Sequence, residues 1–257
     1  MKINYSLALI ILMLNIIACS PKYVAVYNTK SNLPNDAEQY YRYENDTLIV
    51  KYSFWENRGI MSFSVYNKLN IPLYIDWKKS NYISNVMKFD YWSDQQVTKG
   101  KSVGISYYYK GPLTVPYMRL YGSNFSSETV KPERVTFLPP KAIIYKSSYI
   151  LTTDDLISPK GLGSVSSKEK RPENPRKYFI KYTKYFNKSS SPLVFRNFLT
   201  YSTQENFAEE KYVNDEFFVN EINYINWNYF KVYRTEKGKE FYEYPYQKGI
   251  YFFLEPK

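Results

Sequence analysis

The chain has 257 residues, a formal net charge of +11 and 30 tyrosines, but it has no histidine and a single cysteine, Cys19. The absence of histidine excludes Ser-His-Asp and Cys-His nucleophile systems and His-based metal sites. A single cysteine cannot form a disulfide within the chain, so core packing must hold the fold. We therefore expect no catalytic residues, no metal site and no cofactor, and any enzyme chemistry would depend on carboxylates, Lys, Tyr, Ser or Thr.

The first 18 residues are typical of a bacterial export signal. Lys2 supplies a positive charge, and residues 7–18 form an apolar run that is shorter than the roughly 20 residues needed to span a bilayer. The sequence Ile16-Ile17-Ala18-Cys19 resembles the lipobox, in which the cysteine thiol receives the lipid. We therefore expect residues 1–18 to be a lipoprotein signal peptide and Cys19 to be lipidated. An ordinary signal peptide followed by a chance cysteine is the alternative.

The residue after the lipobox bears on location. Ser20 stands where Asp retains lipoproteins in the inner membrane of well-studied Gram-negative bacteria, and by that resemblance the outer membrane is favoured. The face, periplasmic or surface, stays open. Removal of residues 1–18 deletes Lys2 and no acid, so the net charge becomes 34 − 24 = +10. Such a chain is drawn to anionic lipid or polysaccharide, and we expect no nucleic-acid partner for an exported protein.

Alternating apolar residues predict β-strands through most of the chain. Leu48, Val50, Tyr52 and Phe54 share one face of the first clear strand, and the same period of two recurs further along. These later candidate strands cover residues 61–66, 73–77, 103–109, 117–121, 134–138, 143–150, 178–186, 193–201, 217–224, 229–233 and 250–254.

Polar stretches divide these strands into regions. We predict a polar tether over residues 19–35, a sandwich domain over 36–152, a mobile loop over 153–176, and a C-terminal β region over 177–257 that packs on the first. One short helix is expected over residues 204–212, with Thr203 as its cap. The predicted fold is a mostly-β, Ig-like antiparallel β-sandwich with a C-terminal β extension or second β layer.

Two short stretches carry a resemblance to a known group. Residues 67–80, which contain Pro72-Leu73-Tyr74-Ile75-Asp76-Trp77, and residues 191–201 look like lipoproteins of the Bacteroidota. The resemblance covers a small part of the chain and implies no activity. Asp46-Thr47-Leu48 also matches the short O-glycosylation pattern of that phylum, and whether it is used stays open.

Asp76 and Trp77 form the most compact polar and aromatic pair. Trp77 can stack on a sugar while Asp76 accepts its hydroxyl groups, so both are possible binding residues. Alternation with Leu73 and Ile75 favours the other interpretation, in which Trp77 fills the sandwich core and Asp76 caps the end of a strand.

Clustered tyrosines give the second candidate surface. Tyr41, Tyr43, Tyr107 and Tyr109 lie in runs that place tyrosines on both faces of a strand. A tyrosine on the outer face suits contact with a glycan or a protein.

These observations favour a lipid-anchored cell-envelope protein that is not an enzyme. It would be held to the membrane by its N-terminal lipid and would bind a glycan or an envelope protein, or serve structurally. The alternative is a carboxylate-based hydrolase of envelope or extracellular polysaccharide, which needs two acids about 5–10 Å apart across a groove.

Overall fold

Two antiparallel sheets face each other across an aromatic core. The structure is a computed structural model that describes residues 22–37, 39–94, 97–109, 118–130, 132–152, 164–171, 174, 176–236 and 239–256. Its strands, in chain order, are β1 (Tyr23–Ser31), β2 (Tyr41–Glu44), β3 (Leu48–Ser53), β4 (Ile60–Asn67), β5 (Leu73–Asp76), β6 (Asn81–Ser84), β7 (Met87–Asp90), β8 (Val97–Tyr109), β9 (Met118–Val130), β10 (Val135–Leu138), β11 (Ile143–Ile150), β12 (Val165–Lys170), β13 (Tyr178–Tyr185), β14 (Val194–Ser202), β15 (Lys211–Asn226), β16 (Val232–Glu236), β17 (Lys239–Glu243) and β18 (Tyr251–Leu254). Helix α1 is a single turn (Trp227–Phe230), and a 3₁₀ turn (Lys188–Ser190) joins β13 to β14.

The larger sheet has the order β10-β5-β14-β15-β1-β18. The β12–β13 hairpin joins it through β15, and the β6–β7 hairpin joins it through β14. The smaller sheet has the order β11-β4-β3-β2, and two further hairpins pair β8 with β9 and β16 with β17. Every strand pair in the two sheets is antiparallel, so the prediction of a mostly-β antiparallel sandwich is confirmed.

Aromatic rings fill the space between the sheets. Phe217 of β15 lies 4.9 Å from Tyr52 of β3 and 5.3 Å from Phe195 of β14, measured between ring centroids. All three side chains are fully buried. Such ring pairs in offset or edge-to-face geometry contribute about 0.5–1.5 kcal/mol beyond the area that they bury. Aromatic rings therefore make up a large part of the described core, which fits a fold held by packing.

The predicted tether is wrong for residues 23–31, because these residues form β1 inside the larger sheet. Val24, Ala25 and Val26 are buried, and β1 pairs with β15 on one side and with β18 on the other. The polar residues that suggested a tether follow this short apolar run. Thr29, for example, is buried and donates a 2.6 Å hydrogen bond to the Ile250 carbonyl.

The predicted loop over 153–176 is also partly wrong. Residues 165–170 form β12, which pairs with β13 along its whole length, while residues 153–163 lie outside the described part of the chain. The side chains of β12 are almost all exposed, so its backbone pairing requires no apolar face.

The helix expected over residues 204–212 is absent from that described segment, which is a series of bends leading into β15. Phe207 takes a φ of 54°, in the left-handed region, and this breaks any helix there. Among the described residues the one α-helical turn, α1, instead follows β15.

The two predicted β regions share one sheet. Strands β5, β6, β7 and β10, from residues 36–152, lie beside β13, β14, β15 and β18, from residues 177–257. The C-terminal strands therefore supply the middle of the larger layer, and the smaller sheet of β2, β3, β4 and β11 packs against it.

Candidate functional site

Asp76 and Trp77 are buried, so neither is placed to meet a sugar. Trp77 is 5% exposed and belongs to the core, and its indole N–H donates a 2.7 Å hydrogen bond to Thr136. Asp76 is 1% exposed and accepts a 2.7 Å hydrogen bond from Arg134. Burial acts to raise the pKa of Asp76, but the Arg134 guanidinium, with help from nearby backbone N–H groups, outweighs it and lowers the pKa. This pair serves the fold, as the alternation with Leu73 and Ile75 indicated.

Of the candidate tyrosines, the two whose side chains are described, Tyr41 and Tyr43, do not form an exposed strip. Tyr41 is 3% exposed, and its hydroxyl donates a 2.6 Å hydrogen bond to the Thr29 carbonyl. Burial raises the pKa of Tyr41 to about 12. Tyr43 is half-buried and packs against the core. Tyr107 and Tyr109 lie in β8, whose side chains are outside the described part of the structure.

Two other sequence predictions concern modification. Cys19 lies outside the described residues, so its lipidation stays a prediction. Thr47 is 7% exposed, in the turn before β3. Whether the Asp46-Thr47-Leu48 pattern is glycosylated stays open.

A buried hydrogen-bond network connects the two sheets. The Tyr52 hydroxyl donates to Asp215 at 2.6 Å and accepts from the Asn197 amide at 3.0 Å, and Tyr91 donates to the Asn197 oxygen at 2.8 Å. Burial raises the pKa of Asp215 to about 6, an effect that the Tyr52 hydrogen bond opposes. Because all four side chains are at least 91% buried, this network holds the sheets in register and does not form a surface site.

The outer face of the smaller sheet carries a groove of about 450 Å³, which we call the serine trough. Its lining residues come from β3, β4, β11 and the residue before β2: Tyr40, Lys51, Tyr52, Ser53, Ser62, Phe63, Ser64, Ile143 and Tyr145. Strand register arranges the floor in two rows. Ser64 pairs with Lys51 on one side and Tyr145 on the other, while Ser62 pairs with Ser53 and Ser147.

Small hydroxyl side chains form the floor of this trough, and tyrosines stand beside it. The Ser62 and Ser147 hydroxyl oxygens are 2.8 Å apart. Tyr145 is 80% exposed, which is unusual for so large a ring on a regular strand. Tyr40 is fixed by close contact with Gly249, since a Cβ built at Gly249 would lie 2.0 Å from the Tyr40 ring. Lys51 forms a 3.0 Å ion pair with Asp36 beside the trough.

A second groove, of about 610 Å³, lies around α1, and we call it the cationic groove. Its lining residues are Arg171, Trp227, Asn228, Tyr229, Lys231, Val232 and Tyr233. Asn226 caps α1 by accepting a 3.0 Å hydrogen bond from the Asn228 backbone N–H. This tight turn brings Trp227 and Tyr229 to the surface while Phe230 points into a small second core.

Each cation of the groove rests on an aromatic ring. The Arg171 guanidinium lies 4.7 Å from the centroid of Tyr229, and the Lys231 ammonium lies 4.3 Å from that of Trp227. The Phe179 ring packs at a tilt against Tyr229, with the ring centroids 4.8 Å apart. Such contacts contribute about 0.5–2 kcal/mol and restrict the motion of a long side chain. The rings therefore position two positive charges at the groove surface.

Sequence patterns missed both grooves. The strand predicted over 229–233 is confirmed for Val232 and Tyr233, where β16 begins, but Tyr229 and Phe230 belong to α1. The local signal for that turn was Asn226, because asparagine is a common helix cap. The trough depends on which strands are neighbours, because its β11 residues, Ile143 and Tyr145, are distant in sequence from Ser53 and Ser62. Only the register of β3, β4 and β11 brings them together.

Among the described residues, neither groove is lined by a carboxylate. Among the described residues no three His, Cys, Asp or Glu side chains are grouped to hold a metal ion. The described helices are all too short to cross a membrane. Comparisons with protein-family models, with curated proteins and with solved structures find no match to this chain.

Proposed function

We propose that this protein is a lipid-anchored protein of the bacterial cell envelope that binds a glycan without transforming it. The lipid is carried by Cys19 and places the protein in the outer membrane. The serine trough carries the glycan-binding part of the proposal. It is an open, hydroxyl-lined groove beside a tyrosine that is 80% exposed.

The chemistry of the trough suits a saccharide. Sugar rings have apolar faces that pack on aromatic rings, and their rims carry hydroxyl groups that both donate and accept hydrogen bonds. Tyr145 offers such a ring face, and the serine hydroxyls can also act as donor or acceptor. Lys51 adds a donor at the side of the groove. Binding sites in proteins commonly combine ring surface with a few convergent polar groups in this way.

A protein partner is less well supported by this groove. Stable protein interfaces centre on buried apolar or aromatic anchors, whereas the floor of the trough is made of serines. The hydrolase alternative requires paired acids across a groove, and the residues that line the trough include no Asp or Glu.

The anchor is tested by processing and fractionation. Residues 1–19 are replaced by a cleavable signal peptide that lacks the lipobox, which gives the lipid-free chain 20–257. We expect the unaltered chain to incorporate labelled palmitate and to sediment with outer membranes, and the lipid-free chain to be soluble. Palmitate labelling that is absent from the unaltered chain would refute the anchor.

Glycan binding is tested with the lipid-free chain against peptidoglycan fragments and cell-surface polysaccharide. Tyr145→Ala should weaken binding about fivefold, because stacking contributes on the order of 1 kcal/mol. Tyr185→Ala, at a tyrosine that is 65% exposed on β13 and outside both grooves, is the matched control. Equal affinities for the two variants would exclude the trough as the site.

A further inference from the structure

The cationic groove lies next to the start of β1. The backbone N–H of Trp227 donates a 2.9 Å hydrogen bond to the carbonyl of Lys22. Lys22 is only three residues after Cys19, and three residues span at most about 11 Å even when fully extended. If Cys19 carries the lipid, as in the proposed function, the groove must lie within this short reach of the bilayer surface.

The surface around the groove has the composition of a membrane-contacting surface. Tyr233, which lines the groove, is 52% exposed, and Trp227 and Tyr229 are partly exposed beside it. Lys22, exposed at the start of β1, accompanies them. Tyrosine and tryptophan with neighbouring lysines and arginines are enriched where proteins meet the headgroup layer.

Arg171 connects the β12–β13 hairpin to the groove. Its Nε donates a 3.3 Å hydrogen bond to the Tyr178 carbonyl, while its guanidinium plane rests on Tyr229. Among the described residues Arg171 forms no ion pair with a carboxylate. The nearby Glu169 is already paired with Lys181 at 2.6 Å. The charge of Arg171 is therefore available to an external anion, and a planar guanidinium suits a phosphate oxygen pair.

We propose that the cationic groove is a docking site for the anionic phosphate headgroups of the bilayer in which the Cys19 lipid is inserted. Arg171 contacts the phosphates, and Trp227 and Tyr233 lie at headgroup depth. The groove then orients the β-sandwich on the membrane, while the lipid supplies the anchoring. The docking proposal rests on the proposed lipid anchor. The affinity of the groove for headgroups can nevertheless be measured with a chain that lacks the Cys19 lipid.

The first experiment measures partitioning of the lipid-free chain onto phosphatidylcholine vesicles with and without added phosphatidylglycerol. We expect binding only with phosphatidylglycerol. Each basic residue near an anionic surface adds about fivefold to partitioning, so Arg171→Gln combined with Lys231→Gln should lower it roughly 25-fold. The control removes the same charge at exposed lysines outside both grooves, Lys88→Gln combined with Lys211→Gln.

Equal losses in the two double variants would show attraction by net charge alone and would overturn the proposal. Inorganic phosphate is added as a competitor at a constant ionic strength set with chloride. Displacement by phosphate at low concentration would identify a site for the free ion and would also overturn the assignment to headgroups.

The second experiment uses the lipidated protein in vesicles whose lipids carry bromine, a contact quencher of tryptophan fluorescence. We expect the brominated lipids to quench part of the tryptophan fluorescence, and Trp227→Phe should remove that quenched part. Trp77→Phe should leave the quenched part unchanged, because Trp77 is in the core. An anchored protein without quenching at Trp227 contradicts the docking proposal and leaves the anchor intact. A chain that is never lipidated contradicts the anchor, while vesicle partitioning of the lipid-free chain still decides the groove.

Discussion

The hydroxyl of Tyr52 in the smaller sheet donates a 2.6 Å hydrogen bond to the carboxylate of Asp215 in the larger sheet. Both side chains are buried, so a titrating group lies in the middle of the interface that holds the sandwich together. Ionisation of Asp215 is therefore coupled to folding. The pH dependence of the free energy of unfolding gives the sign of this coupling.

Stability should fall as the pH rises through the titration of Asp215. Burial raises the pKa of this carboxyl from 3.8 to about 6, so the folded state holds its proton over a range where the unfolded chain has released it. The contribution of Asp215 is greatest below about pH 4 and is lost by about pH 6–7, a change of up to about 3 kcal/mol. Urea unfolding across this range measures it.

Asp215→Asn keeps an acceptor for Tyr52 and removes the titration. This variant should lack that pH-dependent loss and should exceed the unaltered protein in stability at pH 7. Asp90→Asn, at an exposed carboxylate, is the control for loss of one acid. A pH profile for Asp215→Asn that matches the unaltered protein would show that Asp215 does not titrate in this window.

Trp77→Ala tests the assignment of this residue to the core. The ring is 5% exposed and lies 6.4 Å from Phe63 and 6.1 Å from Tyr91, centroid to centroid. We expect a loss of about 3–5 kcal/mol in the free energy of unfolding, because truncation leaves a cavity. The half-buried Trp92 is the matched control, and Trp92→Ala should cost clearly less. A stable Trp77→Ala variant that loses glycan affinity would instead support the sugar-binding interpretation.

Gly249→Ala should distort the wall of the serine trough. A methyl group at this position meets the Tyr40 ring at 2.0 Å, which forces the ring or the backbone to move. We expect a loss of about 1–3 kcal/mol in stability, together with weaker glycan binding. In the Tyr40→Ala background the same substitution should cost much less, and this double-mutant cycle is read by urea unfolding. Additive effects would show that Tyr40 and Gly249 are not in contact.

Val26→Ala tests whether residues 23–31 are part of the fold. Val26 is 1% exposed in β1, so its truncation should lower the free energy of unfolding by about 2 kcal/mol. Lys30→Ala, at an exposed position of the same strand, should have little effect. Unchanged stability in both variants, measured by thermal or urea unfolding, would instead support the prediction that residues 23–31 are part of a tether.

The sequence predicted strands well where one face of a strand is apolar. Residues 48, 50 and 52 are buried and residues 49, 51 and 53 are not, as the alternation indicated. The strand over 143–150 was predicted at the bounds that β11 has. The first strand was missed because its buried residues are successive, Val24 to Val26, as expected of a strand covered on both faces, and a polar stretch follows them.

The two grooves could not be predicted from the sequence, for a different reason. Alternation tells which residues share a face, but it does not tell which strands are neighbours. The trough requires β3, β4 and β11 side by side in one register, and the cationic groove requires the β12–β13 hairpin to bring Arg171 onto Tyr229. The Trp77 alternatives, by contrast, were weighed correctly from local alternation alone, because burial along one strand is a local property.

The position of β1 sets an order of events for the export that we propose for this chain. Translocation delivers the N-terminus first, yet Tyr23 pairs with Asn226 and Val26 pairs with Phe253, near the other end of the sequence. Strand β1 therefore stays unpaired, with Val24 and Val26 exposed to water, until β15 and β18 have crossed the membrane. Pairing over such a distance along the chain is slow, and unpaired strand edges aggregate. We expect maturation to depend on a periplasmic holding chaperone, and acylation at Cys19 to precede closure of the larger sheet.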